Sequence, residues 1–181
     1  MPQQTRTQSR RARMAWLCLG MLGAAAATAG TALDQLPQQW RDDQDRPLSL
    51  GDLHGHRVFL SMAYTSCHRT CPMTMNQLQQ VQRLLDQHGE QATIVVVGLD
   101  PANDDPAMWR HYRATRKLDR TNWYFLTGTL QQTRRLAHEL GFEFWTYDTH
   151  VMHDSRIVIF DSRGLLSATV NPATADWSSL F

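Results

Sequence analysis

Cysteine is scarce in this chain of 181 residues: there are three, and one of them, Cys18, falls in a segment with the marks of export. The folded part is left with a single thiol pair, Cys67 and Cys71. Two cysteines without further ligands give poor support for structural zinc, which wants four. An excess of charge is also missing, since the net charge of +1 provides no global field to attract nucleic acid. Internal repeats, low-complexity linkers and signs of a second domain are absent, and the length suits one core. With 42% hydrophobic and 19% charged residues the composition is globular, so function must come from a site rather than from bulk charge.

Acidic residues are lacking from Met1 to Arg13, which carry Arg6, Arg10, Arg11 and Arg13, and all charge is lacking from Met14 to Leu33. This is the pattern of an export segment. Ala27-Thr28-Ala29 has the small-x-small form of a cleavage site, while 20 uncharged residues are also enough to span a bilayer. Residues 1–33 therefore read as a signal peptide or a membrane anchor, followed by one domain over 34–181. Both readings keep the arginines inside and send the rest outward. The expected location is the periplasm, either soluble after cleavage or attached to the inner membrane by residues 14–33. Ser9-Arg10-Arg11 hints at a twin-arginine signal, and Cys18 follows a leucine too large for lipidation. Export places Cys67 and Cys71 where an unprotected pair tends to close as a disulfide, so a pair meant to hold metal needs a thiol reductant as partner.

Along the exported chain, Gln38 to Gly55 reads as a turn, a short strand and another turn, and Arg57 to Tyr64 as a central strand that is apolar on both faces. After Pro72, the residues Met75, Leu78, Val81 and Leu85 recur at helical steps as far as His88-Gly89. Thr93 to Leu99 is a second buried strand, Pro106 to Lys117 a second helix, and Trp123 to Leu126 a third strand. Thr129 with Gln132 forms a capping box for a third helix ending at Leu140-Gly141. Arg156–Asp161 and Leu165–Val170 flank a turn and predict a β-hairpin. This alternation predicts an α/β fold with a mixed central sheet and the outline of a three-layer, thioredoxin-like domain, its thiol pair lying between the first core strand and its helix.

Pro72 suits the first helical position, which makes Cys71 the N-cap and turns its sulfur toward the positive helix end, favouring thiolate. Cys67 then curls back over the helix start. The five-residue turn also permits a disulfide, although so short a loop makes a poor structural staple. Two thiolates and one imidazole suffice for Cu(I). Eight histidines could supply the third ligand: His54, His56, His68, His88, His111, His138, His150 and His153. Most read as solvated residues of turns and helices. His150 and His153 stand out because they precede the last core strand.

From roughly Trp40 to Val170 the chain resembles the Sco/SenC family of copper-binding, thioredoxin-like proteins. The resemblance rests on Asp-Gln-Asp-Arg-Pro-Leu-Ser-Leu-Gly-Asp-Leu, Tyr-Thr-x-Cys-x-x-x-Cys-Pro, Leu-Asp-Pro-Ala-Asn-Asp-Asp-Pro, Leu-Thr-Gly, and a histidine eleven residues before Gly164. It implies that Cys67, Cys71 and His153 bind a copper ion, with His150 as the alternative, and that Asp100 and Asp104 form an Asp-x-x-x-Asp loop near the metal. Turn chemistry beside Pro101 and Pro106 explains these two acids equally well. Where the family usually carries an arginine between them this chain has Asn103, and its C-terminal helix is shorter. Met73, Met75 and Met152 are nearby thioethers suited either to copper transfer or to packing. Arg110, Arg113, Arg116, Lys117 and Arg120 read as a solvated helix face or as a docking surface for an acidic partner.

The resemblance implies an exported metallochaperone whose partner is a copper-receiving respiratory oxidase subunit, such as the copper centre of cytochrome c oxidase, or another copper chaperone. The rival is a thiol-disulfide oxidoreductase with Cys67 and Cys71 as its catalytic pair, reducing target cysteines before metallation. A copper or redox sensor is a third reading.

Overall fold

A computed structural model describes residue 1 and residues 30–67, 70–147 and 150–181; for residues 70, 147 and 150 it describes the backbone only. Cys18, the twin arginines and almost all of the uncharged run lie outside the described residues. Among the described residues no helix is long and apolar enough to cross a membrane.

Two apolar runs set the centre of the fold. Strands β3 (Arg57–Ala63) and β4 (Ala92–Gly98) pair in parallel and are buried almost throughout. Such runs are stable only where both faces of a sheet are covered. β5 (Trp123–Thr127) adds in parallel beside β4, and β8 (Ile157–Phe160) with β9 (Leu166–Val170) adds antiparallel on the other side of β3. Between Trp40 and Leu48 the chain supplies more than the single expected strand. β1 (Trp40–Asp42) joins the far side of β5 and β2 (Pro47–Leu48) closes that edge, giving the order β2-β1-β5-β4-β3-β8-β9. The tight link between β1 and β2 is made by Asp42, whose Oδ1 accepts the Gln44 and Arg46 N–H groups at 2.9 and 2.8 Å.

Helix α1 (Thr70–His88) turns Met75, Leu78, Val81 and Leu85 into the core, each at most 2% exposed. Burying each contributes roughly 2 kcal/mol. It stops at Gly89, whose φ of +68° is open to glycine without strain. Helix α2 (Pro106–Thr115) is capped by Asp105, which accepts the Met108 N–H at 2.7 Å, and α3 (Leu130–Leu140) by the expected Thr129–Gln132 box.

Two features differ from the sequence reading. Leu33, the last residue of the uncharged run, is fully buried in the core, and the Thr31–Leu33 backbone bonds to Gly164 and Leu166, so the folded unit includes residues upstream of Asp34. A second, two-stranded sheet of β6 (Phe144–Tyr147) and β7 (His150–His153) stands apart from the main one, where no strand was expected. Phe144-Trp145-Thr146-Tyr147 is aromatic and β-branched throughout, a strand signal made weak by its short length.

Candidate metal centre

Cys67 ends the loop that leaves β3, its N–H bonding the Tyr64 carbonyl at 3.2 Å. The helix begins at Thr70, so Cys71 is its second residue and not the N-cap. Proline is tolerated anywhere in a first turn, where N–H groups lack intrahelical acceptors, and Pro72 therefore does not mark the first helical position. The sulfur turned to the helix start belongs to Cys67, which accepts the Cys71 N–H at 3.4 Å. Both thiols are reduced and buried, at 3% and 0% exposure. The Cys71 thiol is held far above the ordinary thiol range, by its hydrogen bond with Cys67 and then by burial. The expected ready thiolate at Cys71 is thus corrected: in the metal-free state it keeps its proton.

His153 arrives from β7, 82 residues beyond Cys71, with Nε2 at 3.3 Å from the Cys71 sulfur. Its Nδ1 lies 2.6 Å from the Asp154 carbonyl, which can only accept, so Nδ1 carries the ring proton. Nε2 consequently turns a lone pair toward the Cys71 sulfur. Tyr64 packs edge-on to the imidazole, with ring centres 5.7 Å apart. Burial, and then the neighbouring Cys67, push the Tyr64 hydroxyl up to about 12. Cys67, Cys71 and His153 thus present three donor atoms within 4.8 Å of one another. Ligands about 2.3 Å from one shared ion lie within about 4.6 Å of each other, so the group fits a single small ion with little movement. Two sulfurs and an imidazole nitrogen without a carboxylate make a soft donor set, suited to Cu(I) rather than to calcium or magnesium.

Among the described residues the remaining candidates fall outside this group. Asp104 is 1% exposed; its Oδ1 accepts both the Thr65 N–H and hydroxyl at 2.8 Å, and its Oδ2 accepts the Asp100 N–H at 3.0 Å. It is a tether for the loop that carries Cys67, a role given to neither residue by sequence reasoning, although Tyr64-Thr65 stood in the quoted motif. Burial outweighs these bonds and pushes its carboxyl up to about 6. The Asp100 carboxylate accepts the Asn103 side-chain amide at 2.7 Å, which is turn chemistry. The side chains of His150 and His68 lie outside what the structure describes. His54 meets Asp34 at 3.0 Å, His88 stacks on Phe181, and His56, His111 and His138 are exposed. Met75 is core, whereas Met73 and Met152 are 36% and 44% exposed.

The basic cluster is in part the solvated face expected, since Arg110, Lys117 and Arg120 are exposed, but its side chains are also tied down. Arg113 pairs at 2.9 Å with Asp43, the side chains being 12% and 6% exposed, and Arg110 donates to the Asp43 carbonyl at 2.6 Å. Arg120 pairs with Asp86, and Arg116 lies over the Tyr112 ring. Asp43 and Asp86 are distant in sequence from the arginines they meet, which adjacency along the chain could not reveal.

Fold and site together define a thioredoxin-like domain with a dithiol–imidazole group beyond the carboxyl ends of β3 and β4. The SCO1/SenC family model matches residues 28–179, and the chain belongs to that family. A Stutzerimonas stutzeri protein named for copper binding is 31% identical over 104 residues, 57% of this chain and 50% of that protein. The chain spans about half the length of the curated relatives it matches. Among solved structures, Arabidopsis thaliana ScoI with copper bound aligns with a TM-score of 0.70 at 19% identity, over 84% of this chain and 92% of that one. BsSco, described as a member of the Sco family of cytochrome c oxidase assembly proteins and as having a disulfide switch, aligns with a TM-score of 0.72 at 20% identity, over 83% and 91%. At such identities these likenesses establish the fold.

Proposed function

We propose that the protein is an exported copper metallochaperone that takes up Cu(I) at Cys67, Cys71 and His153 and passes it to a respiratory enzyme, the copper centre of cytochrome c oxidase being the favoured acceptor. The observation that carries the reading is the convergence of three soft donors from two distant segments. Family membership, the copper-bound relative and the oxidase-assembly relative support it. The uncharged run after the N-terminal arginines supports placement in the periplasm.

The chemistry follows from the protonation of the group. The thiol pair gives up the proton held by Cys71 as Cu(I) binds. Uptake is therefore coupled to proton release, and hand-over to proton recovery. Burial of both thiols weighs against the rival thiol-disulfide oxidoreductase, whose attacking cysteine must be reached by a target disulfide.

The test is a Cu(I) titration of residues 30–181, reduced, against a competing chelator. Wild type is expected to bind one equivalent, and His153→Ala to bind at least about tenfold more weakly, a loss of about 1.4 kcal/mol. Equal affinity of the two proteins would remove His153 from the site.

A further inference from the structure

His153 stands on the part of the fold that the main sheet does not hold. Among the described residues β6 and β7 pair only with each other, four residues apiece. An isolated ribbon of that size is marginal in water. A metal ligand, by contrast, must be held to about half an ångström. Phe144 and Val151 pack the ribbon on the core, and its base adds the constraint on the end that carries His153. There the Glu143 carbonyl accepts the Asp154 N–H at 3.0 Å, and Asp154 Oδ1 accepts the Glu143 N–H at 3.2 Å, joining the ribbon's two ends. Asp154 Oδ2 accepts both Nε and a terminal nitrogen of Arg156, at 2.9 and 2.6 Å. Arg156 is built into the main sheet, because its carbonyl accepts the Ser61 hydroxyl of β3 at 2.8 Å. The same Asp154 offers its carbonyl to Nδ1 of His153.

We infer that Asp154 and Arg156 are positioning residues for the ligand histidine. The Asp154 carboxylate locks the ribbon to Arg156, and through it to β3, so that the adjacent carbonyl holds the imidazole with Nε2 facing Cys71. This inference rests on the reading of Cys67, Cys71 and His153 as the copper-binding group. The two side chains are 29% and 31% exposed, and pairs so placed add little to stability. Their effect falls on the ring and not on the fold. A second tie, Thr74 Oγ1 to Ser155 Oγ at 3.2 Å, holds the segment after His153 to α1 but does not reach the ribbon's other end.

The experiment uses the full chain labelled with ¹⁵N-histidine, reduced and metal-free, at a pH where imidazole is neutral. Long-range ¹H–¹⁵N correlation separates a protonated Nδ1 from a bare Nε2. Wild type is expected to show the single Nδ1–H form at His153. Asp154→Ala and Arg156→Ala are expected to show averaging of the two tautomers and about tenfold weaker Cu(I) binding in chelator competition, with urea midpoints close to wild type. Ring spectra and copper affinities equal to wild type in both variants would overturn the inference. Should Asp154→Ala fail to fold, Asp154→Asn, which keeps an oxygen acceptor but drops the charge, is judged by the same criteria. Averaged tautomers in the variants of a protein whose wild type holds no Cu(I) would keep the positioning role and overturn the copper reading.

Discussion

Replacing Asp104 by asparagine should remove a specific pH dependence from the stability of the domain. The carboxyl is 1% exposed and titrates at about 6 instead of its ordinary 3.8, because burial outweighs the bonds from Thr65 and Asp100. The folded state therefore holds a proton between these pH values that the unfolded state has lost. The stability contributed by the protonated carboxyl is complete below about 3.8 and is lost as pH rises through about 6. A displacement of that size corresponds to about 3 kcal/mol. In Asp104→Asn the amide oxygen can still take both Thr65 bonds, while the NH₂ group faces the Asp100 N–H and leaves it unmet at a cost of about 1 to 3 kcal/mol. That cost does not vary with pH. Urea unfolding of both reduced, metal-free proteins across the window should thus show wild type losing about 3 kcal/mol relative to the variant as pH rises. Groups common to both cancel in the difference. A flat difference, or one that grows in favour of wild type with pH, would refute the argument that Asp104 is a buried, proton-holding tether.

Two further substitutions probe the frame. Gly128→Ala places a methyl group 2.7 and 2.8 Å from two ring atoms of buried Trp40, which cannot swing aside, and should cost about 2 kcal/mol in a urea melt without changing Cu(I) affinity. Arg113→Ala strands the nearly buried Asp43 carboxylate and should lower stability by about 3 kcal/mol; restoration of wild-type stability by a concurrent Asp43→Asn would confirm that the stranded charge is the cause.

What the sequence made legible follows the range of the forces involved. β3 and β4 could be read because burial on both faces leaves a mostly apolar run, and α1 because its stripe repeats and Gly89 ends it. Cys67 and Cys71 are near neighbours, so their meeting could be read as well. Their place before the last core strand narrowed eight histidines to His150 and His153, and only the resemblance chose between them. What brings it to the thiols is a ribbon whose two ends are joined by Asp154 and whose anchor, Arg156, is fixed by Ser61, 95 residues earlier. The misplaced cap has a related origin. The rule that puts proline first in a helix uses backbone neighbours only, whereas here the Cys67 sulfur comes from four residues upstream to accept the Cys71 N–H.

This division has a mechanical consequence for the proposed carrier. The thiols are fixed by the main core, through Asp104 to the loop and through α1 to β3 and β4, so their separation should change only if the domain itself loosens. The imidazole stands on a small ribbon that rests on the core through half-buried Phe144 and Val151 and is otherwise held by polar contacts at its base, an arrangement that can yield without unfolding the main sheet. A Cu(I) ion passing to an acceptor has to exchange ligands one at a time, and the donor on the least constrained element is the first to leave. In the carrier proposed above His153 would be the first donor released, and weakening the Asp154–Arg156 clamp should speed copper release while the midpoint of urea unfolding stays where it was.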